Sequence, residues 1–109
     1  MRTYHSTRSN EAPLTAKEAI RRGIAPDGGL YVSDALGTVQ IPLVDLSEMS
    51  YLDLAREVLR ALLPDFSPAE IDACASEAYE KTFASAEVTP VVDIAPMGSD
   101  GTPASVLEL

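Results

Sequence analysis

The chain has one cysteine, Cys74, and one histidine, His5, in 109 residues. A lone cysteine excludes an intrachain disulfide, and with it the stapled scaffold of a small secreted domain. One Cys and one His also fall short of the four ligands of a thiolate-based metal site, so no metal is expected. No apolar run approaches the ~20 residues of a membrane span. The opening Met1-Arg2-Thr3-Tyr4-His5-Ser6 lacks the apolar core of a signal peptide. Cations are scarce, with 8 Lys plus Arg against 17 Asp plus Glu and a net charge of −9. Such a surface repels phosphate backbones and anionic lipid, so neither nucleic acid nor membrane is an expected partner. The default compartment is the cytoplasm.

What remains is a chain that is 46% apolar, ordinary for a globular protein, and long enough for one domain with one core. Three segments carry helix signals. The first opens at Thr15, with Glu18 three residues on as its reciprocal cap, and stops at Gly23 in a left-handed cap; Arg21 and Arg22 complement the dipole of its last turn. The second begins after Ser50 with Asp53 in its first turn, and Pro64 ends it. Its Tyr51, Leu54, Ala55, Val58, Leu59 and Leu62 follow the spacing of a buried stripe. The third begins at Ser67, with Pro68 at the first helical position and Glu70 completing a second capping box. Ile71, Cys74, Ala75, Ala78 and Tyr79 form its apolar face, which extends toward Phe83. The two apolar faces are expected to pack together.

Residues 3–6 and 30–33 read as short strands. Residues 91–94 and 105–109 flank a Gly98-Ser99-Asp100-Gly101 turn and read as a hairpin. Residues 34–49 form a Pro-containing connection with little periodicity. The fold class is therefore mixed α/β (α+β), with about three helices and short strands. The chain stops inside a strand-like pattern at Leu109. Two readings fit that end: an excised domain whose next segment is missing, or a last strand tucked into a small sheet.

Chemistry-bearing residues are few. In Asp27-Gly28-Gly29, Pro26 presets a turn and the glycines allow positive φ or close approach of another backbone. That is either a plain helix-to-strand turn or a loop placed against a ligand or neighbouring domain. Ser6-Thr7-Arg8 follows a strand with two hydroxyls and a guanidinium, which is either a solvated loop or an anion-binding cluster. His5 has no nucleophile or carboxylate pattern aimed at it. Cys74, on the apolar stripe, reads as a buried small hydrophobe. Tyr31, Tyr51 and Tyr79 read as core residues with a polar tip. No paired-carboxylate motif, phosphate loop or nucleophile elbow is present, so no catalytic residue is assigned.

Taken in order, several of these motifs resemble the threonine synthase family. They are Tyr4, Ser6, Thr7 and Arg8; the helix from Thr15 to Gly23; Ala25-Pro26-Asp27-Gly28-Gly29-Leu30-Tyr31; Ser50-Tyr51 with Leu54-Ala55; Tyr79 and Phe83; Pro90-Val91-Val92; and the closing Leu107-Glu108-Leu109. Two positions depart from the family pattern. Ser9 stands where Gly commonly follows the Ser-Thr-Arg triplet, and Ser33 where Pro commonly follows the Leu-aromatic-Val run.

The resemblance implies that residues 1–109 are the N-terminal domain of a fold-type II enzyme dependent on pyridoxal phosphate. The parent would convert O-phosphohomoserine and water to L-threonine and phosphate. It implies that the cofactor lysine lies beyond Leu109, so that this chain alone is inactive and binds no cofactor. The domain would pack on the catalytic domains of the same polypeptide. Ser6, Thr7, Arg8, Asp27, Gly28 and Gly29 would be its substrate-adjacent residues. The alternatives are a related phospho-lyase of changed substrate and a non-catalytic interaction module of the same architecture.

Overall fold

A computed structural model of the chain describes residues 3–8, 11–83, 86–94 and 101–109. The order is β1 (Tyr4–Ser6), α1 (Ala16–Arg22), β2 (Tyr31–Ser33), α2 (Leu43–Ser47), α3 (Tyr51–Leu62), α4 (Pro68–Tyr79), β3 (Val91–Ile94) and β4 (Ala104–Leu107). The domain is a small mixed α/β fold, with four helices among the described residues rather than three. The additional one, α2, lies in the connection expected to be irregular. It spans five residues, and its N-cap Pro42 offers no side-chain hydrogen bond, so neither periodicity nor capping announces it.

The three helices read from the sequence start where their caps place them. Thr15 and Glu18 form a capping box on α1, and Ser67 and Glu70 form one on α4, with Pro68 in its first turn. Ser50 caps α3 by accepting the Asp53 amide N–H. Each box satisfies two of the donors that a helix start leaves unpaired. Gly23 ends α1 at φ 73° and ψ −114°. The positive φ was expected, but ψ lies outside the left-handed helical well.

The strands make two separate antiparallel pairs. In β1–β2, Tyr4 faces Ser33, His5 faces Val32 and Ser6 faces Tyr31. In β3–β4, Val91 faces Leu107 and Ile94 faces Ala104. This is the hairpin read from the sequence; residues 98–100 of its turn lie outside the described residues, and Gly101 has φ 69°. Leu30, placed in a strand by the sequence, precedes β2 and is exposed.

β1 is anchored on both sides. Tyr4 exchanges backbone hydrogen bonds of 2.8 Å with Leu14, and its hydroxyl donates to the Leu62 carbonyl at 2.8 Å, a group in the last turn of α3 with no helical partner. Asp34 accepts from both the Thr3 amide and its hydroxyl, which holds its carboxyl below the usual range. Between α1 and α4, the Lys17 ammonium sits 2.9 Å from Glu70 and 4.9 Å from the centre of the Phe66 ring. The Lys17 amide donates to Asp65 at 2.9 Å.

The α3–α4 pair packs together as expected and is laced by Arg56 and Arg60 from α3 to Asp72 and Ser76 on α4. Burial departs from expectation. No α3 residue is buried; Tyr51 and Val58 of its stripe are 38% and 37% exposed. On α4 only Ile71 and Ala75 are buried, whereas Cys74 and Ala78 are exposed. The stripe lies on an open apolar hollow instead of under a covering layer. Tyr79 stays half-buried between Tyr51, edge-on at 5.3 Å, and Phe83, stacked at 6.1 Å. Tyr31, read as core with a polar tip, is half-buried, and its hydroxyl is buried with no hydrogen-bond partner among the described residues.

Candidate functional site

The register of β1 against β2 decides where the two loops lie. Alternation along β1 sends Ser6 inward and His5 outward, so Ser6 is 6% exposed and His5 is open to solvent. Pairing Ser6 with Tyr31 sets the end of β1 beside the turn that leads into β2. Ser6-Thr7-Arg8 and Asp27-Gly28-Gly29 therefore meet in space, a relation their sequence separation conceals.

The turn is closed locally. The Gly28 amide donates to the Ala25 carbonyl at 2.8 Å across Pro26 and Asp27, and the Ala25 amide donates to Gly29 at 3.1 Å. Asp27 folds back on its own backbone, accepting the Gly29 amide at 2.8 Å, as Asp side chains do in turns. The other loop then joins. The Ser6 hydroxyl donates to the Asp27 carboxylate, 2.8 Å from Oδ1 and 3.0 Å from Oδ2, and accepts the Arg8 amide at 3.2 Å. The Thr7 amide donates to the Leu30 carbonyl at 3.0 Å, and the Thr7 hydroxyl accepts the Leu30 amide at 3.1 Å.

The two glycines have different reasons to be there. Gly28 has φ 77°, where a side chain is strained, and a Cβ on it would sit 3.0 Å from a guanidinium nitrogen of Arg8. Gly29 is buried, and a Cβ on it would overlap the Ser6 hydroxyl and press on Asp27 Oδ1 and Thr7 Oγ1. The close approach expected of this turn is real, but a side chain makes it, not another backbone.

This arrangement sorts the six candidate residues. Ser6, with its proton committed to Asp27 and a lone pair to Arg8, is not free to act as a nucleophile. Asp27 and Gly29 complete that internal lock. Thr7 and Arg8 stay exposed at its edge. Arg8 keeps a guanidinium nitrogen close over Gly28, and a planar guanidinium at an exposed edge is suited to pairing with an anion. The sequence located both loops but not their union; the Asp-x-Gly spacing signals the turn, and nothing in the sequence signals Ser6 as its partner.

Among the described residues no three His, Cys, Asp or Glu side chains converge to hold a metal, and no helix is long and apolar enough to cross a membrane. The chain's lysines are Lys17 and Lys81. Lys17 is engaged by Glu70 and Phe66, and Lys81 is exposed just past α4. Neither has the enclosed, polar-lined surroundings that a cofactor Schiff base requires.

The family model described as threonine synthase N terminus matches residues 3–79, which include both loops and all four helices. The threonine synthase of Saccharomyces cerevisiae is 34% identical over 94 residues, a stretch covering 82% of this chain and 18% of that protein. The chain thus spans less than a fifth of that relative's length. On this match the chain belongs to the threonine synthase N-terminal domain family.

Proposed function

We propose that this chain serves as the N-terminal domain of an enzyme that converts O-phosphohomoserine and water to L-threonine and phosphate. The observation that carries the reading is the family match running through both loops, joined to the geometry it covers: a Ser6–Asp27–Gly29 lock with Arg8 and Thr7 at its edge. The substrate carries a phosphate and a carboxylate, and a guanidinium beside a hydroxyl is suited to either. In this reading Arg8 and Thr7 orient a substrate anion at the mouth of the parent's site, while Ser6, Asp27 and Gly29 hold them in place.

Pyridoxal phosphate, when bound in the parent, would supply the electron sink for the reaction. In this reading the cofactor lysine belongs to the rest of the polypeptide, a view supported by the engagement of Lys17 with Glu70 and Phe66 and by the exposure of Lys81. The domain's partners are then the catalytic domains of that polypeptide. The test is phosphate and threonine release from O-phosphohomoserine by the full-length parent and by residues 1–109 alone. The parent should turn over and the isolated chain should not. A parent that releases phosphate only from a different O-phosphorylated amino compound would shift the reading to a related phospho-lyase. Turnover by the isolated chain, with a Schiff base at Lys17 or Lys81, would overturn it.

A further inference from the structure

The buried core is small for the apolar content of the chain. Among the described residues the buried apolar side chains are five alanines and Ile71. The accessible surface is 7903 Å², whereas a compact monomer of this mass exposes roughly 5,800 Å². The radius of gyration agrees: it is 17.7 Å against about 13 Å for a compact domain of this length. The surplus surface, roughly 2,000 Å² on this one chain, is more than twice the roughly 800 Å² that an interface of standard size buries on each partner.

Part of the exposed apolar surface forms a groove of about 300 Å³ between α1, α3 and α4. Ile71 and Ala75 form its floor, and Ile20, Leu59, Phe66 and Cys74 line its walls. A second hollow of about 230 Å³ shares Leu59 with it, extending the apolar strip along α3. We infer that this groove is the seat for apolar side chains from the part of the parent polypeptide outside this domain. The inference rests on the reading above that the domain belongs to a longer enzyme, and it adds which face docks. A second copy of the chain is the poorer occupant, because each copy carries a net charge of −9 and like charges oppose self-pairing. In the yeast relative the stretch similar to this chain is 18% of the protein, so a same-chain occupant has ample length to come from.

Cys74 reports on the groove directly, since it lines the wall and is exposed in the domain. The experiment is maleimide labelling of the full-length parent, with the Cys74 peptide followed by mass spectrometry, in native buffer and in denaturant. Docking predicts labelling slower by about tenfold or more in the native parent. Ala78→Asp, which puts a charge on the same wall, should restore fast labelling while circular dichroism shows the parent still folded. If the parent instead unfolds, Ala78→Ser serves as the milder variant, and its labelling should lie between the two. Equal native and denatured rates in the wild type would show an open groove and overturn the inference. Protection that disappears on dilution, in step with dissociation of a dimer by sedimentation, would assign the groove to a second copy and also overturn it. A parent that shields Cys74 but does not act on O-phosphohomoserine would lose the proposed reaction and keep the docking face.

Discussion

The hydroxyl of Ser6 donates to the carboxylate of Asp27 from 21 residues away in the chain, at 2.8 Å from Oδ1 and 3.0 Å from Oδ2. That contact closes the loop after β1 onto the turn before β2, and Gly29 is the residue that leaves room for it.

Ser6→Ala takes a donor from a part-buried carboxylate and should cost about 1–3 kcal/mol in urea unfolding. Gly29→Ala should cost a similar ~1–3 kcal/mol through overlap with the Ser6 hydroxyl. Because one clash is shared, Gly29→Ala should cost clearly less when Ser6 is already Ala. Additive losses in the double variant would mean that the two residues do not press on each other.

Arg8→Ala in the full-length parent should lower kcat/KM for O-phosphohomoserine by about tenfold or more, the scale of one charge-assisted hydrogen bond. Arg8→Lys should recover only part of the loss, because an ammonium lacks the planar fork. Wild-type kinetics in a folded Arg8→Ala parent would leave the cluster a structural loop.

Glu70 gives a signature in pH. The Ser67 amide and the Lys17 ammonium hold its carboxyl down, from the usual 4.5 to about 2. A folded value below the unfolded one means the stabilisation is complete above pH 4.5 and is lost as pH falls toward 2. The Tm difference between wild type and Glu70→Gln should therefore be largest and flat above that window and vanish at its acid end. A difference independent of pH would mean that Glu70 acts through shape and not through charge.

Core truncations should follow burial more than periodicity. Ile71→Ala removes the one large buried side chain among the described residues and should cost ~2–5 kcal/mol in residues 1–109. Leu59 faces the open groove, so Leu59→Ala should cost less than half as much there by calorimetry. Equal losses at the two positions would place Leu59 in the core after all.

Local structure was written in the sequence because its determinants lie within three or four residues of one another. The capping boxes Thr15–Glu18 and Ser67–Glu70, the Ser50 cap, the Pro26 turn and the strand-like runs at Val91 and Val106 each specify their own few residues of backbone. The motif order that carries the family resemblance is also a property of the sequence. Tertiary structure alone decided the rest. A five-residue helix with no side-chain cap, α2, leaves no periodic trace. The apolar stripe of α3 specifies a face but not its cover, and burial of Leu59, Cys74 and Ala78 depends on what packs against them. The union of Ser6 with Asp27, the different duties of Gly28 and Gly29, and the reach of Tyr4 to Leu62 depend on strand register and chain path. Those relations join residues 20 to 58 positions apart, beyond the reach of any local rule.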